Sequence, residues 1–193
     1  MAIRLHQPLG SPEQDPLLLA AQPADELQLG QYIPLHYHFN MLLDSDRVDA
    51  FKAAIDYHVQ ADMHVLELGG GTGILSSFAA RRGAKVTCIE RNPALVAKAR
   101  EALQLNGLAS RVEVLQADAP SYTPDRPVDV VVCEMLHAAM LREKQLDVIA
   151  AFKANYRQRF AGPLPIFIPE ASVLLWQAIE QDFDFAGYWA PIP

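Results

Sequence analysis

Between residues 64 and 107 the chain passes twice from a short apolar run, through a turn, into a stretch whose apolar residues recur three and four apart. That order admits few folds. Strands joined through a helix run parallel, and the crossover is right-handed. The first unit is a strand over His64–Leu68, a glycine turn, and a helix over 74–82 with Ile74, Leu75, Phe78 and Ala79 inward and Gly83 ending it. The second is a strand over Lys85–Glu90, then Asn92 as N-cap and Pro93 at the first helical position. Leu95, Val96, Ala99 and Leu103 mark the inner face of that helix, which runs to Asn106-Gly107. A third strand is expected over 111–116, where Val112 and Val114 alternate with polar residues. The unbroken apolar run 128–133 suits a strand covered on both faces. A helix over 143–160 with Leu146, Ile149, Ala150 and Phe152 inward follows, then strands over 164–168 and 172–179. Upstream, Leu42, Val48, Phe51, Ala54 and Ile55 mark a helix over 41–57 capped by Asp44 or Ser45. Five prolines before residue 35 make residues 1–34 an irregular leader. The expected fold is therefore α/β, a mostly parallel sheet with helices on both faces, over residues 35–170, with 171–193 as a C-terminal strand and tail. With 193 residues and 51% apolar composition, the chain can bury one full core.

On such a sheet ligands bind beyond the carboxyl ends of the strands, where strand order reverses. The residues there are the turn at 69–73, Glu90, Asp118 and Glu134. Glycines let backbone approach a ligand closely, and the helix behind them offers free amides. A phosphate-binding P-loop would end in Gly-Lys-Ser/Thr, which is absent. The dinucleotide pattern would need Gly or Ala where Ile74 or Ser76 stands. The acid followed by alternating glycines, Glu67, Gly69, Gly71 and Gly73, instead resembles motif I of the class I S-adenosylmethionine (SAM)-dependent methyltransferases, which have a Rossmann-like domain. Glu90, 21 residues after Gly69, stands where an acid accepts from ribose hydroxyls. The resemblance implies that Asp118 accepts from the adenine amino group. Read without it, Glu90 is a solvated strand-end carboxylate and Asp118 a turn former before Pro120.

A narrower resemblance lies in the stretch from Val65 to Ala80, with Gly71-Thr-Gly-Ile-Leu75 and Phe78-Ala-Ala80, and in His38-Phe39 and the stretch from Met41 to Arg47. These segments are similar to the protein arginine methyltransferases. The likeness implies that Arg47 pairs with the cofactor carboxylate and that His38 and Met41 lie against the cofactor. The alternative for Arg47 is an exposed helix cation. That family carries two glutamates that grip a substrate guanidinium, and Glu134 and Glu143 keep its spacing of nine residues. Two carboxylates suit a planar guanidinium through paired hydrogen bonds. Glu143 also stands where a helix begins, a position that favours an acid anyway. The family's Trp-Met-Gly-Tyr is replaced by Met135-Leu-His-Ala138, so its aromatic lining is missing and His137 becomes a candidate substrate contact or base. Ile166 to Trp176 resembles the entry into that family's C-terminal β-barrel, which is itself absent from this sequence. Either the chain is part of a longer protein, or it completes its site with another chain, as in a homodimer.

The resemblance implies SAM as cofactor and an arginine in a protein or peptide as acceptor. The alternatives are a small molecule, an RNA base, or a silent SAM-binding scaffold. A net charge of −7 with scattered cations argues against nucleic acid as partner, and the lack of an Asn/Asp-Pro-Pro-Tyr/Phe motif after the fourth strand argues against base methylation. No apolar run has membrane-spanning length, and no secretory signal is recognised. Cys88 and Cys133 are expected as buried apolar residues of separate strands, and no metal site is expected. Cytoplasm is the expected compartment.

Overall fold

The computed structural model describes Ile33, residues 35–136 and 143–178, and two short strands at Asp184–Phe185 and Tyr188–Trp189. The core is a five-stranded sheet in the order β3-β2-β1-β4-β5, parallel at every pairing. Its strands are β1 (His64–Leu68), β2 (Lys85–Glu90), β3 (Val112–Gln116), β4 (Val130–Val132) and β5 (Ile166–Ile168). The antiparallel pair of two-residue strands forms a separate sheet.

β1 is central and buried along its whole length. Because successive side chains of a strand point to opposite faces, it feeds two cores. Val65 joins Val86, Cys88, Val130 and Val132 on one face, against α2 (Ser45–His58), α3 (Ile74–Arg81) and α4 (Pro93–Leu105). Leu66 and Leu68 join Ile89 and Val131 on the other, against α5 (Gln145–Arg159). Cys88 and Cys133 are buried free thiols on β2 and just past β4, with β1 between those strands. Burial drives the Cys133 thiol pKa up to about 12.

Three expectations need correction. The pattern expected over 41–57 is divided between two helices, α1 (Leu35–Leu43) and α2, and Asp44, one of the two expected caps, is the N-cap of α2. Asp44 leaves helical geometry (φ −74°, ψ 82°) and its carboxylate accepts from Arg47 N at 3.2 Å, so an N-cap interrupts a continuous apolar pattern. On α5 Phe152 is buried and Ile149 packs against the core as expected, but Leu146 and Ala150 are exposed, and Gln145, Val148 and Tyr156 complete the buried stripe. Phe152 anchors this face of α5 to the sheet by packing against Phe167 of β5, with ring centroids 6.0 Å apart. Residues 172–178 form no strand, and Val173 to Trp176 are exposed. Among the described residues β5 pairs only with β4, and residues 172–178 do not add to its open edge.

The rotation of α5 is testable by urea unfolding. Phe152→Ala should lose about 3–5 kcal/mol, and Leu146→Ala should change stability by less than about 0.5 kcal/mol.

Candidate functional site

The sheet order reverses beside β1, and a cleft opens beyond the strand ends there, enclosing about 1190 Å³ with its solvent mouth included. Its floor is the glycine turn. Gly69 and Gly70 both donate to Ile89 O at 2.9 Å, and Gly73 N donates to Gly70 O at 2.8 Å, which fastens the turn to the end of β2. At Gly69 (φ +76°) a Cβ would stand 2.4 Å from Met135 Cε, and at Gly71 (φ +54°) one would stand 3.0 Å from the His38 ring. Both positions favour glycine through their left-handed backbone, and at Gly71 the His38 ring also leaves little room for a side chain. Gly73 lies outside the cavity wall and backs onto Ala99 and Leu103 of α4, so it helps to seat α3.

The carboxylates around the turn are satisfied in different ways. Glu90, buried at the end of β2, accepts from Gly71 N at 2.9 Å and from Asn92 N at 2.7 Å, one amide on each oxygen. An ionised carboxylate has about four lone-pair sites, so capacity remains for further donors. Glu67 is fully buried on β1 and accepts from both Ser76 N, at 2.9 Å, and Ser76 Oγ at the start of α3. Burial raises its pKa to about 7, with the Ser76 bonds opposing the shift. Asp118 follows β3 half-exposed, 4.0 Å from Arg91 Nη1.

Arg47 reaches in from α2. Its Nη2 donates to Met41 O at 2.8 Å, its Nε lies 3.7 Å from Asp44, and its Nη1 lies 3.8 Å from Glu134 Oε1. Glu134 is mostly buried, and Leu136 N donates to it at 3.3 Å. Burial raises its pKa while the Arg47 charge pulls it back down. Glu143 lines the same cavity, two residues before α5. The His38 imidazole covers Gly71, and its pKa is lowered, first by burial and then by Arg47, against the opposing pull of Glu90. His38 Nε2 is a buried nitrogen with no hydrogen-bond partner among the described residues.

Ten of the eleven residues singled out from the sequence therefore meet at one cavity: His38, Met41, Arg47, Glu67, Gly69, Gly71, Glu90, Asp118, Glu134 and Glu143. Gly73 is the exception. His137 lies outside the described residues. The sequence reading missed the roles of Ser76 and Gln145. Gln145 is 2% exposed, and its Oε1 accepts from Met135 N at 2.8 Å. Its spacing from Val148 and Phe152 was the available signal, because it places a glutamine on the apolar stripe. Among the described residues no group of three His, Cys, Asp or Glu could hold a metal ion, and no helix is long and apolar enough to cross a membrane.

Residues 65–158 match the family described as methyltransferase domain. The chain is 30% identical over 151 residues to an arginine Nω-methyltransferase of Streptomyces achromogenes subsp. streptozoticus, covering 76% of this chain and 41% of that protein. It is 36% identical over 113 residues to an uncharacterised protein of Methanocaldococcus jannaschii, covering 58% of this chain and 43% of the other. The solved structure of protein arginine methyltransferase 10 of Arabidopsis thaliana superposes with a TM-score of 0.61 at 28% identity, over 70% of this chain and 38% of that one. The chain spans less than half the length of each of these relatives.

The raised pKa of Glu67 carries a linkage consequence. A carboxyl whose folded pKa exceeds its unfolded one stabilises the protein most below the unfolded value, and that stability is lost as pH rises toward the folded value. The window here runs from 4.5 to about 7. Glu67→Gln removes this titration, so its melting temperature relative to the unsubstituted chain should climb between pH 5 and pH 8. Calorimetric scans across that range check it.

Proposed function

The chain carries a class I SAM-dependent methyltransferase domain that resembles the Rossmann half of the protein arginine methyltransferases, and we propose that its acceptor is a guanidinium nitrogen of an arginine. One observation carries the reading most: the mostly buried carboxylate of Glu134 already faces a guanidinium, that of Arg47 at 3.8 Å, in the cavity that Glu143 also lines.

The cleft fits the cofactor on its own terms. A Cβ at Gly69 or Gly71 would crowd it, His38 presents a buried nitrogen without a partner, and Glu90 retains acceptor capacity. In this reading Arg47 holds the amino-acid carboxylate, Glu90 the ribose hydroxyls and Asp118 the adenine amino group, with His38 and Met41 against the ligand and the turn beneath it. When bound, the cofactor would supply an electrophilic methyl group on a sulfonium, with a neutral thioether as its leaving group and the acceptor nitrogen as the nucleophile. Glu134 and Glu143 neutralise the acceptor, orient one nitrogen toward the methyl and accept the charge-assisted hydrogen bonds of the rest. The surplus proton of the methylated guanidinium passes to solvent. Partial burial of Glu134 strengthens the grip, because charges attract more where water is scarce.

The acceptor is an arginine within a protein or peptide in the leading form of this proposal. The relative named as an arginine Nω-methyltransferase supports a second form, in which the arginine is a small molecule. Radiolabelled transfer to an arginine peptide and to free L-arginine separates the two. Glu134→Gln should lower transfer by about 100-fold or more while calorimetric binding of S-adenosylhomocysteine persists, and unchanged turnover would remove Glu134 from the chemistry. Arg47→Ala and Glu90→Ala should each weaken that binding by about tenfold or more, the loss expected for a charge-assisted hydrogen bond. Equal affinity in both would displace the cofactor from this cleft.

A further inference from the structure

The segment that bears Glu134 also covers the glycine turn. Met135 lies against Gly69 so closely that a Cβ there would fall 2.4 Å from its Cε. The amide of Met135 is held from the opposite side by Gln145, whose Oε1 accepts it at 2.8 Å. Gln145 opens α5 directly after Lys144, which adopts left-handed backbone (φ +54°), and Glu143 precedes both. One hydrogen bond therefore ties the residue after the first glutamate to the residue two places after the second. Gln145 is 2% exposed and continues the stripe of Val148, Phe152 and Tyr156. An apolar side chain would suit that stripe better, since a buried amide sacrifices its hydration unless hydrogen-bonded. Gln145 does not line the cavity, so it touches no reacting group.

We propose that Gln145 is a positioning residue for methyl transfer: through Met135 N it holds the glutamate-bearing segment in register with the glycine turn. The inference rests on the proposed transfer to a guanidinium and adds the group that sets the distance between methyl donor and acceptor. A misplacement of about 1 Å can cost about 100-fold in rate, so one bond at this point has a large effect.

The test uses the full chain with SAM and a synthetic peptide of one arginine flanked by glycines. Gln145→Leu keeps the volume and removes the acceptor. It should speed deuterium exchange at the Met135 amide by about tenfold or more and lower kcat by about 10- to 100-fold. The KM for SAM and the affinity for S-adenosylhomocysteine should stay within about twofold, which a merely structural role would not preserve. Gln145→Glu keeps an acceptor oxygen and should recover both the Met135 protection and most of the turnover. Fast exchange at Met135 with unchanged kcat overturns the positioning role and leaves the transfer reading standing. Loss of cofactor affinity in parallel with kcat also overturns it, since Gln145 would then serve the cofactor or the fold. If the leucine variant fails to fold, the glutamate variant decides: intact Met135 protection with full turnover supports the role, and intact protection with lost turnover overturns it. A wild-type chain that transfers to neither the peptide nor free arginine overturns both readings, and that outcome is distinguished because it precedes any substitution.

Discussion

The ligand end of this molecule depends on β1 lying parallel between β2 and β4. A strand buried on both faces cannot continue outward without leaving its amides unpaired, so the chain must turn where the sheet ends. It does so with Gly69 and Gly70 bonded to Ile89 O and Gly71 bonded to the carboxylate of Glu90. The shape of the turn thus belongs as much to the end of β2 as to the glycines. α3 begins directly behind it, and Ser76 supplies the donors that let Glu67 stay buried beneath.

Around this turn three carboxylates meet with three different solutions to burial. Glu90 takes two backbone amides and Glu67 takes a serine, with its pKa near 7. Glu134 takes a guanidinium that is itself anchored to Met41 O and Asp44. The break between α1 and α2 matters for that last arrangement. Asp44 caps α2 and faces the Arg47 guanidinium, so one side chain both shapes the helix start and helps to aim the cation into the cleft. Arg47 therefore joins the group assigned to the cofactor and the group assigned to the acceptor in one electrostatic unit.

How much was legible follows from the range of each signal. β1 and β2 were readable to the residue because a short apolar run bounded by glycine or Asn-Pro leaves little freedom in its ends. The glycine turn was readable because glycine tolerates the positive φ at positions 69 and 71 far better than other residues. The rotation of α5 was legible only in part, because Leu146 and Ala150 extend the apolar set of Ile149 and Phe152 about as convincingly as Val148 and Tyr156 do. The extra strand over 172–179 failed for a similar reason. An open edge exists at β5 among the described residues, but an apolar run does not by itself bring residues 172–178 onto it.

The sequence by itself determined the parallel α/β order, the glycine turn and the acids placed at the end of β2 and just after β3 and β4, because periodicity, turn chemistry and strand ends act within a few residues of one another. Tertiary structure alone decided that Arg47 meets Glu134, that His38 covers Gly71 and that Gln145 holds Met135. Arg47 and Glu134 lie far apart along the chain, and even across the short span from Met135 to Gln145 the contact exists only because packing turns that face of α5 inward. Such contacts are fixed by how helices rotate against the sheet, a choice made by the whole core and by no local pattern.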